Sequence, residues 1–418
     1  MKNELNVKQE TLPNGCQVIL VRKPGFHKSL GMLATQAGGF DIKQTLNGQP
    51  ITYPSGCAHF LEHQMFHYKG GDVTDRFAAL QAQTNAFTSF NETAYYFQTT
   101  SDVKKPIDLL FDFVEHLEIT PQTVAKEKGI ILSEYDMYKE NVEQRLMKET
   151  WRSMYKNHPL RTDILGSRED IQNMTVEQLS RFYRNNYDPS RLIFIGITGK
   201  ETAPLLTYVR ENQSAVPSHL PGRIERLIDP EPAEVVRPYY EDQMDIRIPF
   251  VAVGYKLPVE PDEKKNVRMD AAVQMYLDTW MSPLNPEYQT WLDRRILTSA
   301  AGAECEFSKD HAFLFFFAQT QEVDAFIKIV EGIIEDMKTK PLDEAAFRSL
   351  RSMGIASNIR STDHYESLAL DWIRVKTDHV SFWENLNVLK TMTKTEAEEI
   401  VHGLNYDQKC VTVMRPKK

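Results

Sequence analysis

The segment Cys57-Ala-His-Phe-Leu-Glu-His63 holds three side chains that could do chemistry together. On a helix, His59 and His63 are four residues apart and leave the same face, with Glu62 beside them. Zinc takes neutral imidazoles of this kind as ligands, and a neighbouring carboxylate that does not ligate can accept a proton from an attacking water. The order His-x-x-Glu-His reverses the more familiar His-Glu-x-x-His. A solvated helix face that happens to carry two histidines is the alternative reading of these five residues alone.

A tetrahedral site needs a further ligand. His67 continues the spacing of four, but on a continuous helix it stands roughly 12 Å along the axis from His59, too far to share one ion easily. Glu127 and Glu134 are better placed, because seven residues make two turns and put both carboxylates on one helix face. Glutamates on a helix are usually just solvated. The neighbours Gly129, Ile130, Ile131 and Leu132 predict that this stretch is largely buried.

These residues must be positioned by larger elements, and the chain reads as two copies of one unit. In the first half a β-hairpin turning at Leu12–Gly15 precedes helices near Cys57–Phe66 and Thr74–Ala82. Strands follow at Asn85–Phe90 and Thr93–Thr100, then an amphipathic helix through Ile107, Leu110, Phe111 and Val114, and a long helix opening at Pro121. The second half repeats the order. A strand at Ile246–Tyr255 leads to helices near Val267–Trp280 and Glu287–Arg295, strands at Gly302–Phe307 and Ala312–Gln319, and helices at Glu322–Met337 and Leu342–Ile359. Each half closes on a capped helix, an Asn-Tyr-Asp turn and a strand, from Met174 and from Met392. The prediction is an α+β protein of two homologous sandwich units, each an antiparallel-rich sheet with helices on one face. Their expected limits are 1–216 and 239–418, with a Pro-rich linker at 217–238 holding Pro217, Pro221, Pro230, Pro232 and Pro238.

With 418 residues, 41% apolar and 26% charged, the chain is long enough for more than one core and ordinary in composition for a globular protein. Its net charge of −9, with no basic stripe, argues against nucleic-acid binding. No apolar run approaches the ~18 residues of a membrane span, and no signal peptide is apparent. Cys16, Cys57, Cys305 and Cys410 are far apart, with no Cys-x-x-Cys pair, which points to a reducing, cytoplasmic setting.

His59-Phe-Leu-Glu-His63, Asn85-Ala-Phe-Thr88 before a Tyr-rich strand, and Glu127 with Glu134 together resemble the pitrilysin and insulysin family of zinc peptidases. The likeness is nearest to bacterial members similar to the β subunit of the mitochondrial processing peptidase, and it spans essentially the whole chain. It implies one Zn²⁺ per chain held by His59, His63 and Glu134, with Glu62 as general base and Glu127 as a supporting catalytic carboxylate. It also implies a clamp-like pair of units and an edge strand at Asn85, Ala86 and Phe87 that receives an extended peptide by main-chain pairing.

One family feature is missing. Members that work alone carry an Arg and, seven residues on, a Tyr in the second unit; in the aligned stretch Leu292–Ser299 neither Arg294 nor Arg295 has a Tyr at that distance, where Ala301 and Gly302 stand. The expectation is therefore a zinc metalloendopeptidase that acts as the catalytic subunit of a heterodimer, its homologous partner supplying the Arg/Tyr pair. A homodimer is the rival assembly. The alternative function is a non-catalytic assembly or peptide-binding subunit, against which the intact Glu62 argues.

Overall fold

The computed structural model describes residues 5–298, 300–377 and 379–417. The chain opens with the predicted hairpin, β1 (Asn6–Thr11) and β2 (Gln17–Arg22), followed by β3 (Ser29–Thr35) and a small hairpin, β4 (Lys43–Leu46) and β5 (Gln49–Thr52). Helix α1 (Cys57–Met65) carries the His-x-x-Glu-His motif. It ends in a two-residue-stranded hairpin, β6 (His67–Tyr68) and β7 (Gly71–Asp72), and α2 (Val73–Ala79). Strands β8 (Ala82–Thr88) and β9 (Thr93–Thr99) come next, then α3 (Lys104–Val114), the long α4 (Pro121–Glu140) and α5 (Val142–Met154). Helices α6 (Arg168–Asn173) and α7 (Val176–Asn186), strand β10 (Leu192–Thr198) and helix α8 (Thr202–Gln213) close the first half. A capping box between Thr175 and Gln178 starts α7, as its sequence predicts.

The second half holds β11 (Ile224–Arg226), β12 (Tyr239–Met244), β13 (Phe250–Lys256), α9 (Glu263–Trp280), α10 (Tyr288–Asp293), β14 (Ala301–Phe307) and β15 (Ala312–Gln319). It continues through α11 (Val323–Thr339), α12 (Glu344–Ser361), α13 (Tyr365–Thr377), α14 (Glu384–Thr391), α15 (Lys394–His402) and β16 (Lys409–Pro416). Among the described residues no helix is long and apolar enough to cross a membrane.

Two sheets carry the repeat. One runs β1-β2-β10-β3-β9-β8 and the other β12-β16-β13-β15-β14. Leaving out β1, the two orders are the same. Each is antiparallel except for one parallel pair between its first and last strands, β2 with β10 and β12 with β16. In each sheet the main helical layer covers one face. Val18, Leu20, Leu33, Tyr95, Phe97 and Phe194 meet α1, α3 and α7 in one core. Val251, Val253, Leu314, Phe316 and Val413 meet α9, α11 and α15 in the other.

The opposite faces are apolar too, since central strands with both faces buried read as continuous hydrophobic runs. Ile193, Ile195, Met32 and Ala34 are fully buried, and α13 packs on β10 and β3. In the other sheet α5 packs on β13 and β16, where Leu146 joins Phe250, Ala252 and Met414. These two helices change the domain limits. The first compact unit is the chain up to Tyr135, Thr162–Leu227 and His364–Thr377. The second is Asp136–Arg161, Ile228–Asp363 and the segment that ends the chain.

Local readings also need correction. The strand expected from Ile246 begins at Phe250, after Pro249, which has no N–H to give a ladder; Tyr239–Met244 forms a separate strand. The strand expected over Asn85–Phe90 runs Ala82–Thr88. Within the Pro-rich segment Ile224–Arg226 is a strand that pairs with β4, so part of it belongs to a small sheet with β4 and β5.

Candidate metal and catalytic site

Helix α1 starts at a place where two backbone strands touch. Gly56 has φ +82°, and a Cβ there would lie 2.2 Å from the Leu165 carbonyl oxygen; Gly166 has φ +90°, and its Cβ would lie 2.4 Å from the Ser55 carbonyl oxygen. Only glycine suits both positions. Ser55 N–H donates to Asp170 on α6 at 3.1 Å, and Ser167 N–H donates to Ser55 Oγ at 2.9 Å. The helix then buries Cys57, Phe60, Leu61 and Met65, which leaves His59, Glu62 and His63 on the remaining face. At its far end Gln64 Nε2 donates to the Glu118 carbonyl and to Thr123 Oγ1, which ties α1 to the start of α4.

Helix α4 brings its two glutamates to that face, but it is less buried than its apolar run predicts. Only Val124, Glu127 and Ile131 are buried, while Gly129 and Ile130 are exposed. Glu134 Oε2 lies 3.7 Å from His59 Nε2 and 3.4 Å from His63 Nε2. The two imidazole rings are 4.8 Å apart, and His59, His63 and Glu134 together can offer three ligand atoms to one ion. Glu127 stands behind them, with Oε2 3.4 Å from His63 Nδ1 and Oε1 2.8 Å from His67 Nε2. His67 is thus not on the motif's helix, which stops at Met65.

The electrostatics suit a cation. Burial, helped by the neighbouring His63, holds His59 down to about 4, so it is a neutral donor near pH 7. Burial also opposes a charge on His63, yet hydrogen bonding to Glu127 and Glu134 outweighs it and lifts His63 to about 9. The pocket draws positive charge between its carboxylates. Burial opposes ionisation of Glu127 as well, but the hydrogen bonds of His63 and His67 hold its carboxyl below the ordinary range. Two imidazoles and a carboxylate converging in a negative pocket are a donor set that fits zinc with a position left open.

Glu62 is not among the converging three. Its Oε2 accepts from Thr88 Oγ1 at 2.5 Å, and burial raises its carboxyl above the usual value against that hydrogen bond. Thr88 is the contact that sequence reasoning missed. The available signal was its place at the end of Asn85-Ala-Phe-Thr88, where strand alternation turns it towards α1. Asn85 is exposed, and Ala86 and Phe87 are half-buried, on β8, which is an edge strand of its sheet. A cavity of about 790 Å³ opens beside the motif, lined by Glu62, His63, His67, Tyr68, Glu127 and Ile130.

A second group, His158, Asp310 and His311, also has metal-like spacing. Its hydrogen bonds argue otherwise. The Leu160 N–H donates to His158 Nδ1 at 3.1 Å, so the ring proton of neutral His158 sits on Nε2, the atom 3.5 Å from Asp310. His311 contacts Asp310 at 2.7 Å through Nδ1 and Glu306 at 3.0 Å through Nε2, the pattern of an imidazolium between carboxylates.

Comparison with known proteins places the motif in context. Residues 51–168 match the family described as Insulinase (Peptidase family M16), and residues 173–353 match the Peptidase M16 inactive domain. A Bacillus subtilis protein named uncharacterized zinc protease YmfH is 28% identical over 397 residues, covering 94% of this chain and 92% of that protein. The mitochondrial-processing peptidase subunit beta of Neurospora crassa is 29% identical over 174 residues, covering 40% and 36%. The crystal structure of an M16-like peptidase from Alicyclobacillus acidocaldarius superposes with a TM-score of 0.92 over 100% of both chains, at 29% identity.

Proposed function

The chain belongs to the insulinase (M16) family of peptidases, and we propose that it is a zinc-dependent endopeptidase cleaving peptides or unfolded segments bound as an extended strand. The observation that carries this is Glu62: a buried carboxyl, hydrogen-bonded to Thr88, set on the same helix face as His59 and His63 but outside the group they form with Glu134. A purely structural metal site has no use for a general base there. His59 Nε2, His63 Nε2 and Glu134 would hold the ion, which when bound supplies Lewis acidity to the scissile carbonyl and the attacking water. Glu62 takes the proton of that water and returns it to the leaving amine, with the Thr88 hydroxyl fixing one of its oxygens. Glu127 keeps the His63 ring oriented. Along Asn85, Ala86 and Phe87 the edge strand offers main-chain hydrogen bonds to the peptide without regard to its side chains.

The partner is part of the proposal. The stretch Leu292–Ser299, whose Ser299 lies outside the described residues, holds no Arg with a Tyr seven residues on. A homologous subunit would supply a cation and a phenol to steady the oxyanion. A relative whose name includes "subunit beta" supports that assembly. Four free thiols, none in a disulfide, suit a cytoplasmic setting.

The test is zinc stoichiometry together with cleavage of a quenched peptide library, before and after chelation and with or without a paralogous chain. One zinc per chain and chelator-sensitive cleavage are expected, faster with the paralogue. A chain that binds zinc and cleaves nothing in either state would make it a binding subunit.

A further inference from the structure

His67 has no part in the motif, and it is not among the three residues that converge on one point. Its position is nevertheless built. Directly after α1 the chain folds back through the β6–β7 hairpin, whose turn holds Lys69 at φ +46° and Gly70 at φ +73°. His67 pairs with Asp72, and the Val73 N–H closes on the Phe66 carbonyl at 3.0 Å. Tyr68 is buried in the core with its hydroxyl on Asp112, so strand alternation turns His67 the other way, towards α4.

There it meets Glu127, which is 4% exposed. A buried ionised carboxylate is costly unless its oxygens are used. Of its two histidine contacts, the one to His67 is much the shorter, 2.8 Å against 3.4 Å to His63 Nδ1. The shorter contact sets the plane of the carboxylate, and the longer one then finds its acceptor in place.

We propose that His67 is a positioning residue: its Nε2–H locks Glu127 so that the second oxygen holds His63 through Nδ1, leaving His63 Nε2 turned towards Glu134 and a metal ion. The role rests on the zinc reading above and adds a third member, His67–Glu127–His63, to the line behind that ligand. Partners of this kind typically change metal affinity about 10–100-fold when removed.

The experiment is the zinc affinity of the metal-free full chain, read by competition with a chromophoric chelator. His67→Phe is expected to weaken zinc on the order of 10–100-fold without changing the melting temperature of the metal-free protein. His67→Gln, whose amide can still donate to Glu127, should recover part of the loss. In a Glu127→Gln background His67→Phe should add little, because the residue it acts through is gone. His67→Ala gives the same reading if the larger ring is not accommodated. Wild-type affinity in both His67→Phe and His67→Ala would overturn the role, and so would an undiminished effect in the Glu127→Gln background. A wild-type chain that takes up no zinc would overturn the metal site itself, a result distinct from either of these.

Discussion

A general base must be ionised to work, and burial pushes the Glu62 carboxyl the wrong way. The Thr88 hydroxyl offsets part of that by donating to Oε2 at 2.5 Å. The two residues therefore separate experimentally. Glu62→Gln keeps the shape and cannot accept a proton, so zinc content should be unchanged while kcat falls on the order of 10²–10⁴-fold. Loss of zinc in that variant would make Glu62 a ligand. Thr88→Val removes only the donor; kcat should fall less than in Glu62→Gln, with KM little changed, in the same steady-state peptide assay.

Among the elements, the start of α1 is held by the touching pair Gly56 and Gly166. Gly56→Ala forces a side chain into a positive-φ site 2.2 Å from a carbonyl oxygen, a strain of about 1–3 kcal/mol. The expected result is a lower melting temperature with weaker zinc binding, since His59 lies within the first turn. An unaffected metal affinity would show that the motif's placement does not depend on this contact. The β14–β15 turn carries a different device. Burial disfavours charge on His311, but Asp310 and Glu306 outweigh it and raise it from 6.5 to about 9. A folded-state pKa above the unfolded one means the native state binds the extra proton. That contribution is complete below pH 6.5, is lost as pH rises to about 9, and is on the order of 1–3 kcal/mol. Calorimetry of wild type and His311→Gln should show the wild-type advantage shrinking across that window. A constant difference from pH 6 to pH 10 would mean that His311 is not charged in the folded protein.

For the whole chain, the exchange of α5 and α13 between the compact units has a consequence for cutting it. Ile193, Ile195 and Met32 are fully buried on the face where α13 packs. A fragment of residues 1–216 lacks that helix and should be aggregation-prone, because a contiguous apolar face is left open. Co-expression with the remainder should restore solubility. A monomeric, cooperatively melting 1–216 fragment on size exclusion and calorimetry would contradict this.

Much of the candidate site was legible in the sequence because helix periodicity is local. Four-residue spacing puts His59 and His63 on one face with Glu62, wherever the helix lies. The same holds for the repeated element order and for the capped helix that starts after Thr175. Periodicity could not choose between Glu127 and Glu134, which share a face. Only the docking of α4 on α1 puts Glu134 against the Nε2 atoms and Glu127 against Nδ1 of His63. Nor could it place His67, since extrapolating a helix that ends at Met65 sends the ring far from where the hairpin returns it. The domain limits failed for a related reason: an apolar stripe on α5 or α13 says that the helix must be covered, but which sheet covers it depends on contacts distant in sequence. Side-chain direction along one element was set by the chain itself, and the choice of partner across elements was decided by tertiary packing, because burial is non-directional.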